Sequence, residues 1–295
     1  MPVRLAYLGV VLVWTTTPLA IKWSGEGMSF VLGVTARMSI GLACLFLLML
    51  ALRQRLAMHG AARRTYLAVT LQLYLSMIIT YWSAQYIPSG WMSVIFGLSP
   101  FMTAFMAAAF LKESSLGWRK LFAYLLGVAG LTLMCLSALD LNQQAILGVA
   151  GILLSTFIHA ASAIWVKRIN SGLPAVQQIT GGLLFSLPLY WLSWYLLDKH
   201  TLPATAIDTK TLYAILYLGV IATTLGFIMY YYVLTHLPAT KVAMINLLTP
   251  VLSLFLGYSI NHEPITLKVA AGVGLILTAL LIHQAADRRQ RLRRV

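Results

Sequence analysis

Residues 81–113 read YWSAQYIPSGWMSVIFGLSPFMTAFMAAAFLKE, and residues 231–263 read YYVLTHLPATKVAMINLLTPVLSLFLGYSINHE. Pro88, Pro100 and Glu113 of the first stretch recur as Pro238, Pro250 and Glu263 of the second. Each pair is offset by 150, as are Tyr81 and Tyr231. In both copies an aromatic run leads to a proline, a second proline interrupts an apolar stretch, and a glutamate closes it. A proline inside an apolar helix removes one backbone bond and kinks the chain. Two such helices at matching places in two halves of a membrane chain point to a transporter whose site lies where the halves meet.

The rest of the chain supplies the membrane. It is 60% hydrophobic and 9% charged, with a mean hydropathy of +0.84. Soluble domains carry about 25% charged residues. Apolar runs long enough to span a bilayer, which takes about 20 residues, fall at 5–23, 30–52, 65–87, 91–111, 119–138, 146–166, 176–197, 211–235, 240–260 and 266–284. They do not alternate as barrel strands do, so they read as helices, which satisfy their own backbone in lipid. The first run lacks a small-residue cleavage site and reads as a span rather than a signal peptide. Cys44 and Cys135 both lie within spans and read as small buried hydrophobes, with no disulfide or metal cluster.

Charge sets the orientation. With the N-terminus cytoplasmic, sixteen of the 21 Lys and Arg fall in inner loops and tails. Lys22, Lys199, Lys210 and Lys268 fall outside, and Arg37 alone lies within a span. The positive-inside rule therefore places both termini in the cytoplasm. The net charge is +14, and five of the arginines cluster at Arg288–Arg294. A basic cluster beside a bilayer suits anionic lipid, and nucleic acid is not expected as a partner.

Ten spans divide into two fives. Five is odd, so the second half enters from the opposite side. The expected fold is an all-α membrane protein with ten transmembrane helices as two inverted five-helix repeats around a central cavity. The repeats cover 1–140 and 146–284, and 285–295 forms a basic cytoplasmic tail.

Candidate site residues follow from polarity at depth. Asn246, Thr249/Pro250, Ser253 and Gly257 form one small, polar stripe on the ninth span; Ser93, Gly97, Pro100 and Thr103/Ala104 form its counterpart on the fourth. Such stripes face other helices or a cavity. Ser99 and Thr249 precede the two kinking prolines, Pro100 and Pro250. Ser155, His159 and Ser162 share a face of the sixth span. Gln72, Ser76 and Thr80 share one on the third, with Tyr74, Tyr81 and Gln85 beside it, and Thr223, Phe227 and Tyr230/Tyr231 share one on the eighth. Trp14 lies roughly 15 Å along its helix, too deep for an interfacial belt, and Thr17 lies one turn beyond it.

Arg37 lies roughly 10 Å below the outer surface, where a charge marks either a site or a structural ion pair. His159 lies deeper and is one of few titratable groups there. Glu26, Glu113, Asp140, Asp198, Asp208, Glu263 and Asp287 all fall at span ends, in loops or in the tail. No carboxylate is placed to carry protons at depth. Glu113 and Glu263 precede helices and read as dipole caps. The expected cavity is lined by Trp14, Thr17, Tyr81, Gln85, Ser99, His159, Tyr230, Asn246 and Thr249, with Arg37 toward its outer end.

Trp14 with Thr17 and Lys22, Arg37, the blocks Pro88–Glu113 and Pro238–Glu263, and the later glycines Gly127, Gly130 and Gly272 resemble an EamA-type member of the drug/metabolite transporter superfamily. The resemblance covers nearly the whole chain. It implies carriage of small metabolites, amino acids or related compounds, usually exported across the bacterial inner membrane. Thr15 stands where that family commonly has Gly, Thr17 where Asn or Ser is common, and Lys112 and His262 where Gly is usual before the glutamate.

Other classes fit less well. An enzyme would need a constellation such as HExxH, a paired-Asp motif or a GxSxG turn, and none is present. A channel would need a charged or carbonyl-lined filter. A scaffold role rests on the basic tail alone. A nucleotide-sugar or drug carrier of the same superfamily is the alternative cargo reading, though no basic pair accompanies Arg37. No cofactor or metal is expected. The partners are a small-molecule substrate and the lipid bilayer; a monomer would suffice.

Overall fold

The computed structural model describes residues 2–111, 117–198, 207–237 and 245–292, with the side chains of residues 111, 141, 231, 234, 235, 246 and 287–292 outside that description. The sequence-flagged Glu113 and Pro238, and the side chain of Asn246, therefore lie outside the described residues. The elements in chain order are α1 (Val3–Trp23), α2 (Phe30–Ala51), α3 (Gly60–Thr70), a π-helical segment π1 (Leu71–Ser76), α4 (Met77–Ala84), α5 (Ser89–Phe96), α6 (Ser99–Leu111), α7 (Trp118–Leu141), α8 (Gln143–Ile169), α9 (Ala175–Asp198), α10 (Thr209–Leu216), a second π-helical segment π2 (Tyr217–Leu225), α11 (Gly226–His236), α12 (Ile245–Asn261) and α13 (Leu267–Leu292). No strand occurs among the described residues.

Eight helices among the described residues are long and apolar enough to cross a membrane, counting α3–π1–α4, α5–α6 and α10–π2–α11 as one each. Two expected spans fall outside that count. In α9, Gln177, Gln178 and the aromatics Tyr190, Trp191, Trp194 and Tyr195 dilute the apolar run. The apolar part of α12, Leu247–Asn261, is shorter. Large apolar side chains stand exposed on the rims: Leu8 and Leu12 on α1, Phe122 and Leu125 on α7, Leu192 and Leu196 on α9, Phe255 on α12. In water such a surface would aggregate; in lipid it is the required exterior. The last helix continues to Leu292, so most of the segment expected as a separate tail is helical. Its Ala, Gln, Arg and Leu residues are good helix formers.

Side-chain caps begin α2 and α8. Ser29 accepts from the N–H groups of Val31 and Leu32 to cap α2, and Asn142 accepts from Ala145 at 2.7 Å to cap α8. The fourth span breaks at Gly97 and Leu98, within the turn before Pro100 whose backbone bond a proline removes. Pro100 sits in the first turn of α6, where a missing N–H is harmless. Pro250 lies inside α12 and leaves that helix continuous.

Two crossings organise the bundle. The small-residue stripes of α5 and α12 meet. Ser93 donates to Ser253 at 2.9 Å, and Ser253 donates to the Thr15 carbonyl of α1 at 2.7 Å. A Cβ on Gly90 would lie 2.8 Å from the Leu254 Cα, so only glycine allows this approach. On the far side α7 packs on α13 through Gly130 and Gly272. A Cβ on either would meet the other's carbonyl oxygen, at 2.6 Å and 2.7 Å. At the opposite edge, α9 brings Tyr190 to donate to the Leu73 carbonyl within π1. A π turn leaves carbonyls poorly served by the helix, and this one is met from a neighbour.

Candidate functional site: a central cavity beside a buried arginine

The broken fourth span, π1, π2, and the middles of α1, α8 and α12 enclose a cavity of about 420 Å³. Small-molecule sites occupy about 300–1,000 Å³. Its wall carries Trp14, Thr17, Arg37, Ser99, His159, Tyr230 and Thr249 among the residues singled out from sequence. Its remaining lining is Pro18, Ile21, Gln72, Met77, Thr80, Met92, Ser93, Phe96, Gly97, Ala163, Ala222 and Phe227. A smaller cavity of about 220 Å³ shares Gln72, Ala163 and Phe227 with it and runs on between α3, α8 and α9.

Trp14 and Tyr230 stack with ring centroids 4.7 Å apart and planes tilted by 36°. Together with Phe96 and Phe227 they give the cavity an aromatic side. Thr17 returns its hydroxyl to the Val13 carbonyl at 2.6 Å, and so presents chiefly its methyl group. Ser155 and Ser162 are turned to packing. Ser155 bonds both Ser76 and Thr80 at 2.7 Å, and Ser162 donates to the Ala68 carbonyl. Of these three, His159 reaches the cavity, beside Ala163 one turn on, and lies edge-on to Phe96 at 6.3 Å. Its Nδ1 is buried and has no hydrogen-bond partner among the described residues.

Arg37 is 5% exposed. Its Nε donates to the Thr223 hydroxyl at 3.2 Å and its Nη1 to the Tyr81 hydroxyl at 3.4 Å. Tyr81 thus stands behind the arginine, not in the cavity wall. Gln85 lies elsewhere. It follows the end of α4, is exposed, and donates to the Trp82 carbonyl at 3.0 Å. No group of three or more His, Cys, Asp or Glu able to hold a metal occurs among the described residues.

Outside the cavity lining, a polar cluster ties α1, α5 and the segment after α12 together. Glu263 accepts from the Ser89 N–H at 2.9 Å, the Ser89 hydroxyl at 3.0 Å and the Asn261 amide at 2.9 Å. Lys22 approaches Glu263 at 3.8 Å and donates to the Ile87 carbonyl. Trp23 donates to Asn261. Glu263 is thus a helix cap, but of α5, 174 residues away, rather than of the helix that follows it. That following helix is capped by Thr266, which accepts from Val269.

The sequence pattern of the EamA-like transporter family matches residues 2–136 and again 146–283. The chain belongs to the EamA-like transporter family. It is therefore an integral membrane transporter. Among its relatives is the uncharacterized transporter YoaV of Bacillus subtilis (strain 168), 22% identical over 98% of this chain and 99% of that one. A probable amino-acid metabolite efflux pump of Salmonella typhimurium is 29% identical over 70% of this chain and 71% of its own length. Its Escherichia coli (strain K12) namesake is 28% identical over 66% and 67%. A solved crystal structure, 18% identical, superposes with a TM-score of 0.66 over 98% of both chains and shares the fold.

Within this EamA-like cavity some residues had no cue in the sequence. Met77, Met92 and Phe96 are apolar residues in apolar helices, and nothing distinguishes a cavity wall from a lipid face by composition. Gln72 and Thr80 did stand out as polar at depth, on a face of the third span. Only the structure brings them to the cavity.

Proposed function

We propose that the chain is a secondary transporter that moves small metabolites such as amino acids, in the export direction, across the bacterial inner membrane by alternating access. In this reading ten helices form two inverted five-helix repeats, covering 1–140 and 146–284, and both termini lie in the cytoplasm. The carrying observation is the placement of the cavity where the fourth span (α5–α6, with Pro100) meets α12 (with Pro250), the two proline-bearing spans of the two halves. Further support comes from the π segments. At the offset of 150, Leu71–Ser76 corresponds to 221–226, which overlaps Tyr217–Leu225. The Glu263 cluster links the two halves of the chain outside the cavity lining, and the smaller cavity extends the space between α3, α8 and α9.

Substrate-side support is chemical. The wall is aromatic and hydrogen-bonding, with one fixed charge. The relatives named amino-acid metabolite efflux pumps agree with such a cargo. A nucleotide sugar would bring a diphosphate, and one guanidinium is a poor match for it.

The test is flux in proteoliposomes holding the purified chain. Counterflow of labelled amino acids and related metabolites that saturates with concentration supports the carrier. Flux that rises linearly without saturation indicates a channel, and uptake restricted to nucleotide sugars would select the alternative cargo. No flux with any of these overturns the reading.

A further inference from the structure

Among the described residues, no counter-charge meets Arg37. Arginine keeps its proton in proteins and offers five N–H donors. Two are used, on Thr223 and Tyr81, both neutral hydroxyls. No carboxylate among the described residues forms an ion pair with it. The described ion pairs belong to Glu26, Asp140 and Glu263, which sit at helix ends. A buried charge without a counter-charge is costly, and proteins ordinarily pair it. Arg37 nonetheless faces the main cavity, whose described lining contains no Asp or Glu.

We propose that the cavity takes a monoanionic carboxylate with an apolar body, and that Arg37 supplies its counter-charge. This inference deepens the transport reading and rests on it only for what binding accomplishes. The unused guanidinium N–H groups match the planar, two-oxygen acceptor of a carboxylate. Trp14, Tyr230, Phe96 and Phe227 offer the apolar body its surface. The unpartnered Nδ1 of His159 marks a second polar point in the same wall. A cargo carrying an ammonium group as well would find no carboxylate there. The aromatic faces offer it only a weak cation–π contact. The favoured cargo is therefore a carboxylic acid lacking a free amine, ahead of a zwitterionic amino acid.

Three ligands sharing one body decide it: phenylpropanoate (an anion), phenylalanine (a zwitterion) and phenylalaninamide (a cation). Dissociation constants are measured by calorimetry on the full chain in detergent. Phenylpropanoate should bind about tenfold tighter than phenylalanine, whose ammonium would be desolvated without a counter-charge, and phenylalaninamide weakest. Arg37→Gln should reduce phenylpropanoate to the level of the amide, and Arg37→Lys should fall between, keeping the charge but losing the fork. Equal binding of anion and amide by the unmodified protein overturns the proposal, with or without a folded Arg37→Gln protein. So does an Arg37→Gln protein that keeps the anion preference, or failure of phenylpropanoate to bind. Anion-selective binding without flux in proteoliposomes would instead overturn the transport reading and leave this one standing. Flux without charge preference would do the reverse.

Discussion

The carboxylate of Glu263 accepts the backbone N–H of Ser89 at 2.9 Å, joining the loop after α12 to the first turn of α5. Ser89 adds its hydroxyl at 3.0 Å, and Glu263 is 8% exposed. A carboxylate at a helix N-terminus is favoured by the exposed N–H groups and by the helix dipole. Here the acid and the helix belong to opposite halves of the chain. The contact therefore fixes their relative position at this point.

Glu263→Gln keeps the shape and removes the charge. It should lower stability by about 1–2 kcal/mol, the difference between charged and neutral acceptors at such a site. Lys22→Met should cost less, because its Nζ stands 3.8 Å from the carboxylate. Thermal unfolding of both variants in one detergent checks the order, and a larger loss from Lys22→Met would contradict it.

Gly130→Ala places a methyl group 2.6 Å from the Gly272 carbonyl oxygen, where backbone must move. We expect a loss of about 1–3 kcal/mol, the range for overpacking. Gly274→Ala, on the same helix as Gly272, meets nothing within 4 Å and should be near neutral. Folded yield and midpoint of unfolding separate the two. Equal effects would mean that the α7–α13 crossing yields easily.

His159→Leu removes a buried nitrogen that has no partner among the described residues. Stability should hold or rise by about 1 kcal/mol, since an unsatisfied polar group is replaced by an apolar one. Cargo affinity should fall in the same protein. A destabilised variant with unchanged affinity would assign His159 to packing alone.

Topology can be read with an impermeant thiol reagent in a protein whose Cys44 and Cys135 are replaced by alanine. Gln144→Cys and Gly60→Cys both place a thiol at an exposed helix start. The charge distribution predicts labelling of the first from outside the cell and of the second only after lysis. The opposite pattern would reverse the proposed orientation.

The sequence made some of this legible for definite reasons. Pro100 announces an irregular span because proline has no N–H to give, and the fourth span breaks just before it, whereas α12 runs unbroken through Pro250. Ser93, Gly97, Ser253 and Gly257 recur at helical spacing, and the structure places that stripe at the α5–α12 crossing. Arg37 is conspicuous because a charge in an apolar run is rare. Gln85 shows the opposite case. It follows Tyr81 by one helical turn, but α4 ends at Ala84, and its amide folds back on Trp82. Helix ends are where periodicity loses its authority. The helix-helix role of Ser155 and Ser162 was also hidden, because a hydroxyl at depth looks the same whether it faces a cavity or a neighbouring carbonyl.

Nothing in LQLYLS or YLGVIATTL signals a π turn, since neither contains proline and only the second contains a glycine. Yet these segments place Gln72 and Ala222 on the cavity wall. A π turn holds one residue more than the α turn it replaces. Chain length is thus negotiable within Leu71–Ser76 and Tyr217–Leu225, while elsewhere in a span a lost residue would rotate every side chain beyond it by about 100°. Single-residue deletions scanned along the third and eighth spans should be tolerated at these two places first. Lineages that reshape the pocket have there a route through length rather than substitution.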